Sequence, residues 1–509
     1  MEEVNVTTTP TTAPGTGTAG LETQVGGQPT TVSAAANATG GVQAGNFIEP
    51  DIDDELFKFR SDDTPLMNLM LKAKKVKVDS PEVDHYMIDE ARSSVTTSDA
   101  VTDNTNKNTF NLPLPVEDQE IPRPYGTLLV NDVNGYSEDG QTVTPGMPLQ
   151  LFVVGHDTSG APIVRAVNGP KRQATDEFCT VPAIPSGSVC TVLANALYET
   201  QKEVDPDLIV PKPTRVYLQK RGMNTIVSDY FESQKKRIPF SKALIAEQQI
   251  MNFKTRGNRT LWAGRKGKIS VNVPKLGVQS IYFSEGVRWQ FKREFQTRDK
   301  WTFEKFIALA KMFFTGEDVP KTALCLAGKN LLEEIQCIDF SKHPEVQISV
   351  KTNKLGWEVT NIHTVFGDIE FKREPTLDRL GWSNSGALIG ENRLVHYQRT
   401  SEHSFNERVE GEEATRTGEI VWDALALKGS CHIWINGENT TVTEGAVGFT
   451  VWDAATAPTG TDLIQGMVYY LLQDCTLGNK KAQNGQMWKY NGTEAGWSEY
   501  TGEINANQD

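Results

Sequence analysis

Residues 361–398 constrain the fold of this chain most, because they predict two strands joined by a tight turn and followed by a sharp end. Gly367 lies at the turn, where glycine supplies the permissive backbone that a hairpin needs. Pro375 ends the second strand, since proline cannot donate a hydrogen bond to a ladder. The apolar residues that anchor this hairpin are Ile362, Val365, Ile369 and Phe371. Nothing in the stretch is arranged like a catalytic site, so it indicates a scaffold element.

The charge of the chain is acidic overall and unevenly distributed. The 509 residues include 51 Lys and Arg against 65 Asp and Glu, a net charge of −14. From Leu218 to Lys275, 13 basic residues outnumber 3 acidic ones, so this segment carries +10 and the rest carries −24. An acidic chain is not a general duplex-binding protein, because duplex affinity comes mainly from Lys and Arg. The contrast favours acidic and basic surfaces that meet, within one subunit or between neighbours, with a solvated basic helix face as the alternative.

No motif supports catalysis or a bound cofactor. The G-x-G-x-x-G match at residues 15–20 lacks the preceding strand and the following helix that a dinucleotide site requires. The seven histidines never pair at ligand spacing on a helix. The acidic clusters at 51–54 and 410–413 lack the spacing of a calcium-binding loop. We therefore predict no catalytic, cofactor-binding or metal-binding residue, and a protein that is not an enzyme.

The cysteines and the apolar runs indicate the compartment. The six cysteines form no Cys-x-x-Cys pair and are too few for a disulfide scaffold. Reduced thiols are expected, with a Cys179–Cys190 bond as the alternative. The N-terminus has no apolar run, so no signal peptide is expected, and no stretch approaches the ~20 apolar residues of a membrane span. These features favour synthesis and folding in a cytoplasm.

Caps and periodicity predict the main elements. Ser241 is a favourable N-cap for a helix that reaches Trp262. Thr302 caps a second helix, because apolar residues recur at i, i+3, i+4 and i+7 between Phe303 and Phe314. Short β-like runs with many Gly and Pro residues indicate a small all-β module at about Tyr125–Asp205.

The two ends differ from the middle of the chain. Met1–Gly45 has no Lys, Arg or aromatic residue and is expected to be disordered when alone. Asn436–Asp509 is Gly-rich and is either an appended β module or an extension woven into the main fold. Its Trp488, Tyr490 and Trp497 fit a packed hairpin with an Asn-Gly turn, or a platform for a sugar.

Several motifs follow one another in an order found in one protein family. They are Thr64–Met67 before a β hairpin, Tyr86–Glu90 on its first arm, the long helix Ser241–Gly264, the Gly367–Glu370 hairpin and the closing strands Arg416–Ile435. In this order they resemble the major capsid proteins of tailed double-stranded DNA phages, which have the Hong Kong 97-like fold. The layout is most similar to that of the crAss-like phages.

This resemblance implies an α+β Hong Kong 97-like capsid fold with an inserted β module and a C-terminal extension. The implied segments are a low-complexity tail (1–45), an N-arm (46–71), an E-loop (72–125), the inserted β-rich domain (126–205), the E-loop return and P-domain spine helix (206–280), an A-domain (281–392), P-domain strands (393–436) and the C-terminal β-rich extension (437–509).

The function implied by the resemblance is self-assembly into the icosahedral head shell that encloses the phage genome. The implied partners are other copies in hexamers and pentamers, scaffold, portal, and head auxiliary or head-fibre proteins. Packaged DNA would be near the shell without specific binding, no membrane would be involved, and assembly would take place in the bacterial host cytoplasm. The charged residues expected at contacts between subunits are Asp89, Glu90, Arg92, Lys235, Lys236 and Arg237.

Two other functions stay open on sequence alone. The first is a phage surface or tail-associated carbohydrate-binding structural protein, built on the β modules and the C-terminal tryptophans. The second is a hydrolase that uses dispersed carboxylates.

Overall fold

The computed structural model describes most of the chain after residue 63. The described residues are 64–87, 94–102, 108–202, 204, 212–234, 241–297, 300–314, 319–343, 346–353, 357–438, 440–493 and 496–500. The chain divides into two compact units, of which the smaller comprises residues 1–60, 226–247 and 407–416. The larger comprises residues 61–225, 248–406 and 417–509. The predicted low-complexity tail and most of the predicted N-arm lie outside the described residues.

Two helices begin where the sequence predicts them. Leu244 N–H donates to Ser241 Oγ at 3.3 Å and Lys305 N–H donates to Thr302 Oγ1 at 3.3 Å, so both predicted N-caps are confirmed. The helices of the described residues are α1 (Pro65–Lys72), α2 (Asp229–Ser233), α3 (Lys242–Ala263), α4 (Phe303–Phe314), α5 (Lys329–Gln336) and α6 (Pro375–Arg379). Short 3₁₀ turns lie at Val116–Asp118, Val287–Trp289, Phe340–Lys342, Glu391–Arg393 and Gly460–Asp462.

Strands make up most of the remaining regular structure, so the predicted α+β class is confirmed. They are β1 (Lys74–Lys77), β2 (Glu82–Met87), β3 (Ser94–Thr96), β4 (Phe110–Asn111), β5 (Gly126–Tyr136), β6 (Val143–His156), β7 (Pro162–Ala166), β8 (Val189–Asn195), β9 (Lys212–Tyr217), β10 (Gln219–Ser228), β11 (Gly267–Val273), β12 (Gly277–Phe283), β13 (Arg293–Gln296), β14 (Thr322–Ala327), β15 (Gln347–Thr352), β16 (Glu358–His363), β17 (Asp368–Arg373), β18 (Gly386–Ile389), β19 (Leu394–Arg408), β20 (Ala414–Leu427), β21 (Ile433–Asn436), β22 (Val447–Trp452), β23 (Val468–Leu471), β24 (Cys475–Leu477), β25 (Lys480–Ala482), β26 (Met487–Tyr490) and β27 (Trp497–Glu499).

The largest sheet has eleven strands in the order β15-β16-β17-β14-β18-β21-β13-β22-β23-β26-β27. β13 lies between β21 and β22 and pairs with both in parallel, with Arg293 opposite Ile433 on one side and Val447 on the other. The C-terminal residues therefore continue the main sheet. Of the two alternatives for this segment, the extension woven into the main fold is confirmed.

Two apolar clusters cover the faces of this sheet. On one side, the predicted apolar stripe of α4 is buried, with Phe306 and Phe313 packed against strand residues such as Ile369. On the other, α1 and α3 supply Leu66 and Trp262 to a cluster that includes Trp434 of β21. The α4 stripe is buried because its i, i+3, i+4 spacing places these side chains on one helix face.

A second sheet has four strands in the order β1-β19-β20-β10. β1 pairs in parallel with β19, with Lys74 opposite Val395 and Lys77 opposite Gln398. Its buried apolar side chains include Val395 and Tyr397 of β19, which cluster with Leu218 between β9 and β10.

β2 and β9 form a two-stranded antiparallel ribbon, with Glu82 opposite Tyr217 and Met87 opposite Lys212. Between its two arms, the chain builds a six-stranded sheet in the order β3-β8-β5-β6-β7-β4. This sheet has its own core, which includes Leu128, Leu149 and Val164. The sheet begins at Ser94 and not at residue 126, the predicted start of the inserted domain, because the three residues of β3 pair with β8.

In the smaller unit, the described residues form local caps and two ion pairs, of which one joins Arg416 Nη1 and Glu407 Oε1 at 3.5 Å. Ser228 Oγ accepts from Phe231 N–H at the start of α2. Arg408 Nη2 lies 3.0 Å from Asp229 Oδ2, and the N–H of Asp229 donates to the carbonyl of Glu413. Both side chains of the Arg408–Asp229 ion pair are exposed.

β13 begins only at Arg293, because the N–H groups of Trp289 and Gln290 close a 3₁₀ turn onto the carbonyls of Gly286 and Val287. All six cysteines are free thiols, so the alternative Cys179–Cys190 bond is wrong. Burial, followed by the nearby Asp132 carboxylate, raises the pKa of the Cys190 thiol to about 12. Across the described residues, no helix has the length and apolar character needed to cross a membrane.

Candidate assembly surfaces

The six charged residues predicted at subunit contacts lie outside the described residues. Asp89, Glu90 and Arg92 follow the last residue of β2, and Lys235, Lys236 and Arg237 follow α2 in the chain. The structure therefore leaves these six contacts as predictions.

Charged side chains join the two arms of the β2–β9 ribbon. Arg215 on β9 contacts Asp84 on β2 through two parallel bonds, Nε to Oδ1 at 2.7 Å and Nη2 to Oδ2 at 2.9 Å. The hydrogen bond from this guanidinium lowers the pKa of Asp84. Glu82 accepts from Lys268 Nζ of β11 at 3.0 Å and lies 3.4 Å from Arg215 Nη1. Exposed pairs of this kind contribute little to stability but select one register of the strands.

The ribbon contains a buried histidine, His85 on β2, whose side chain makes no hydrogen bond. His85 is 6% exposed, and neither ring nitrogen has a partner. Its ring stacks on Tyr397 of β19, with a centroid distance of 6.4 Å. Burial lowers the pKa of His85, and the ammonium groups of Lys428 and Lys266 lower it further, against the smaller opposing effect of Asp84. Neutral His85 is therefore the form that fits this site.

The packing of the ribbon on β19, through His85 and Tyr397, is expected to weaken on acidification. Because the folded-state pKa of His85 lies below its ordinary value, the unfolded chain binds more protons, and stability is lost as pH falls from 6.5 through the folded-state pKa. The unfolding free energy of the parent chain should be lower at pH 5 than at pH 7 in urea titrations. In His85→Phe this difference between the two pH values should be smaller. The control His403→Asn, at an exposed site, should lose as much unfolding free energy between pH 7 and pH 5 as the parent chain. A loss in His85→Phe as large as that of the parent contradicts the role given to buried His85.

A buried charged triad links three strands of the second sheet. Asp423 on β20 accepts from Arg221 Nη2 on β10 at 2.6 Å, and its other oxygen lies 3.2 Å from Nε2 of His396 on β19. Burial raises the pKa of Asp423, but the hydrogen bond from His396 and the charge of Arg221 outweigh it, so the pKa is lowered overall. His396 is thus a structural residue paired with a carboxylate.

Removing the charge of Asp423 should destabilise the fold measurably. Asp423→Asn keeps the shape but leaves the Arg221 guanidinium without a buried counter-charge, so we expect a loss of about 2 kcal/mol in unfolding free energy. The matched control is Asp229→Asn, which removes an exposed Asp–Arg pair and should change stability by less than ~0.5 kcal/mol. Equal effects of the two substitutions in urea titrations contradict the structural role of the triad.

A second buried carboxylate, Glu374, joins α1, α3 and α6. Its Oε2 accepts from Leu66 N–H of α1 at 3.1 Å, and its Oε1 accepts from Asn258 Nδ2 of α3 at 3.0 Å and from Thr376 N–H of α6 at 3.2 Å. Asn258 Oδ1 in turn accepts from Met67 N–H at 2.9 Å. Glu374 and Asn258 are both fully buried. The break after β17 falls at Pro375 as predicted, whereas the N-cap that Glu374 forms was not predicted, because Glu is not among the residues that usually occupy this position.

The turn between β16 and β17 differs in detail from its prediction. Ile362, Ile369 and Phe371 are buried as expected, but Val365 is 85% exposed and does not anchor the hairpin. The prediction for Val365 is wrong because this residue lies in the turn, where side chains no longer alternate between the two faces of a strand. Gly367 is required by close packing, since a Cβ there would lie 2.7 Å from the Phe314 ring.

The C-terminal aromatic residues are packed inside the extension. Trp488 and Trp497 are both buried, and the ring centroids of Tyr490 and Trp497 are 5.1 Å apart. Trp488 Nε1 donates to Gln486 Oε1 at 3.1 Å. Buried indole rings cannot serve as a sugar platform, so the packed hairpin is the arrangement that the structure favours.

In the described part of the chain, no group of three or more His, Cys, Asp or Glu side chains is placed to hold a metal ion. One cleft, of about 720 Å³, is lined by residues that include Trp289, Trp382, Trp434, Arg265 and Arg288. Arg265 stacks on Trp289 at 3.5 Å from the ring centroid. The Arg265 guanidinium is therefore held against the indole ring of Trp289 by a cation–π contact.

Comparisons with known proteins return shell proteins at low similarity. No protein-family profile and no curated protein matches the sequence. The chain is similar to the capsid of a native GTA particle, with 7% identity over 79% of this chain and 98% of that chain and a TM-score of 0.38. It is similar to the capsid of Cyanophage P-SCSP1u, with 9% identity over 49% of this chain and 81% of that chain and a TM-score of 0.32. It is also similar to the SrpI encapsulin of Synechococcus elongatus, with 11% identity over 46% of this chain and 77% of that chain and a TM-score of 0.31.

Proposed function

We propose that this chain is the major capsid protein of a tailed double-stranded DNA phage, with the Hong Kong 97-like fold, and that it assembles with copies of itself into the head shell. The observation that carries the proposal is the β2–β9 ribbon with the β11–β12 hairpin at its base. Two-stranded ribbons are marginally stable alone, so they gain order by lying on other copies. A shell subunit needs such extended, interlocking surfaces rather than a deep polar pocket.

The order of the elements supports the same proposal. We assign the ribbon as the E-loop, α3 as the spine helix, and β19 and β20 as the closing P-domain strands. The A-domain comprises α4, α5 and strands β13–β18 of the eleven-stranded sheet, which the P-domain strand β21 and the C-terminal extension continue. We place the inserted domain at residues 94–195, where the strands of the six-stranded sheet begin and end. The other predicted boundaries are retained.

The uneven charge supports contacts between copies. The segment from Leu218 to Lys275 carries +10 against −24 elsewhere, so basic and acidic surfaces of neighbouring subunits attract. An acidic chain also avoids binding the packaged DNA strongly. We propose Asp89, Glu90, Arg92, Lys235, Lys236 and Arg237 as contact residues.

The finer assignments rest on the sequence resemblance. We propose hexamers and pentamers as the assembly units, and scaffold, portal and head auxiliary or head-fibre proteins as further partners. We also propose that the chain belongs with the crAss-like phages, that it assembles in the host cytoplasm, and that it has no catalytic activity.

Electron microscopy of the purified full-length chain tests the proposal. Closed shells, or hexamers and pentamers of the chain, are the expected result. Single particles of monomer size under all buffer and salt conditions contradict it. Binding of the purified chain to a glycan array, without assembly, would instead support the carbohydrate-binding alternative.

A further inference from the structure

We propose that Lys480 is a latch that fixes the inserted domain, residues 94–195, on the C-terminal extension of the same chain. The inference goes beyond the proposed function, because both partners belong to one copy and meet without a shell. It makes Lys480 the positioning residue of the inserted domain.

The inserted domain packs as a body of its own. Its core includes Leu128, Leu149 and Val164, all fully buried. The chain enters this domain after β2 and leaves it before β9, so two connections join it to the rest. A domain joined in this way moves relative to its neighbours unless an interface fixes it. Its orientation therefore depends on the contacts that it makes outside its own core.

Lys480 on β25 supplies such a contact from the extension. Its Nζ donates to the carbonyl oxygen of Gly187 at 2.9 Å and lies 3.5 Å from Asp132 Oδ2. The same Nζ lies 5.9 Å from the ring centroid of Trp488, within the extension. The Lys480 side chain is only 17% exposed. The contact is thus largely out of water, where the attraction between opposite charges is stronger than at the surface.

Both acceptors in the inserted domain lie on backbone that is already held in place. The N–H of Gly187 donates to the carbonyl of Thr97 at 2.9 Å, and its φ of 72° suits glycine. Asp132 lies on β5, which pairs with β8 on one side and with β6 on the other. Lys480 therefore meets a preorganised pair of acceptors, which lowers the entropic cost of the contact.

A second carboxylate makes the charge of Lys480 necessary. Burial raises the pKa of Glu499 on β27, the Asp132 carboxylate raises it further, and the Lys480 ammonium opposes both. Asp132 belongs to the inserted domain, whereas Glu499 belongs to the extension. Without the ammonium group, two carboxylates that disfavour each other's charge would lie across the contact. Lys480 thus joins the two parts and offsets their repulsion.

Double electron–electron resonance tests the inference on the full-length chain. Nitroxide labels attached to p-acetylphenylalanine replace Thr158 in the inserted domain and Asn484 in the extension, both at exposed positions. Excess unlabelled chain removes distances between different copies. The expected result for the otherwise unchanged chain is one narrow distance distribution. A broad distribution in this chain overturns the inference.

Substitutions at position 480 test the role of the ammonium group. Lys480→Met keeps the unbranched stem beside Trp488 and should raise the undocked fraction about tenfold, which corresponds to ~1.4 kcal/mol. Lys480→Arg keeps the charge and should restore the narrow distribution. The matched control is Lys481→Met, at the next position of β25, whose exposed side chain points to the opposite face of the strand. It should give the distribution of the parent chain.

A further variant isolates the repulsion. Adding Glu499→Gln to Lys480→Met should recover part of the docked population, because it removes one of the two carboxylates. An unchanged narrow distribution in Lys480→Met, or equal broadening in Lys481→Met, overturns the latch. These distances are measured within one copy, so they are read in the same way whether or not the chain forms shells. Failure to form shells counts against the proposed function alone.

Discussion

A chain in which residues 84–215 are replaced by Asn-Gly is expected to stay folded and to form no closed shell. The replacement keeps the first two pairs of the ribbon, Glu82 with Tyr217 and Val83 with Val216, and joins them by a two-residue turn that suits a hairpin. The deleted six-stranded sheet packs around its own hydrophobic core, so its removal opens no cavity in the eleven-stranded sheet. What is lost is the extended surface that would lie on neighbouring copies.

A smaller excision is the matched control for this prediction. Replacing only residues 94–195 by a short Gly-Ser linker removes the inserted domain and keeps both arms of the ribbon. This variant should still form shells. Electron microscopy and circular dichroism of both variants give the answer. Shells of normal size from the 84–215 replacement contradict the assignment of the ribbon as the E-loop.

Glu374→Ala should destabilise the fold more than any other single substitution considered above. It removes the acceptor for Leu66 N–H, Thr376 N–H and Asn258 Nδ2, all in the interior. Each buried donor left without a partner costs ~1–3 kcal/mol, so a loss of roughly 4 kcal/mol or more in unfolding free energy is expected. Urea unfolding of the full-length chain measures it.

Two comparisons sharpen this prediction. Glu374→Gln keeps one acceptor oxygen and turns an amide toward the other donors, so its effect should be smaller, at about 2 kcal/mol. Burial raises the pKa of Glu374, although the bonds from Thr376 and Leu66 oppose it. Its stability contribution therefore falls as pH rises through the folded-state pKa, and the deficit of Glu374→Gln should shrink with rising pH. An alanine variant as stable as the parent contradicts the structural role of Glu374.

The elements that follow from local chemistry could be predicted from the sequence. Ser241 and Thr302 cap helices because their hydroxyl groups reach N–H groups two or three residues ahead, which is a property of neighbouring residues alone. The buried face of α4 follows from its 3.6-residue periodicity in the same way.

The contacts that join distant parts of the chain could not be predicted. β13 lies between β21 and β22, more than a hundred residues away, and four-residue strands carry no signal for their partners. The bond between Asn258 and Glu374, and that between Arg221 and Asp423, depend on which elements pack together. β3 has three residues and becomes recognisable only by its pairing with β8.

Sedimentation velocity of the intact chain over a hundredfold concentration range tests the central claim most directly. That claim is that the exposed ribbons of one copy gain their stability on other copies. The expected result is a rapidly sedimenting closed particle that replaces the monomer above a threshold concentration. A single monomer boundary at every concentration contradicts the claim.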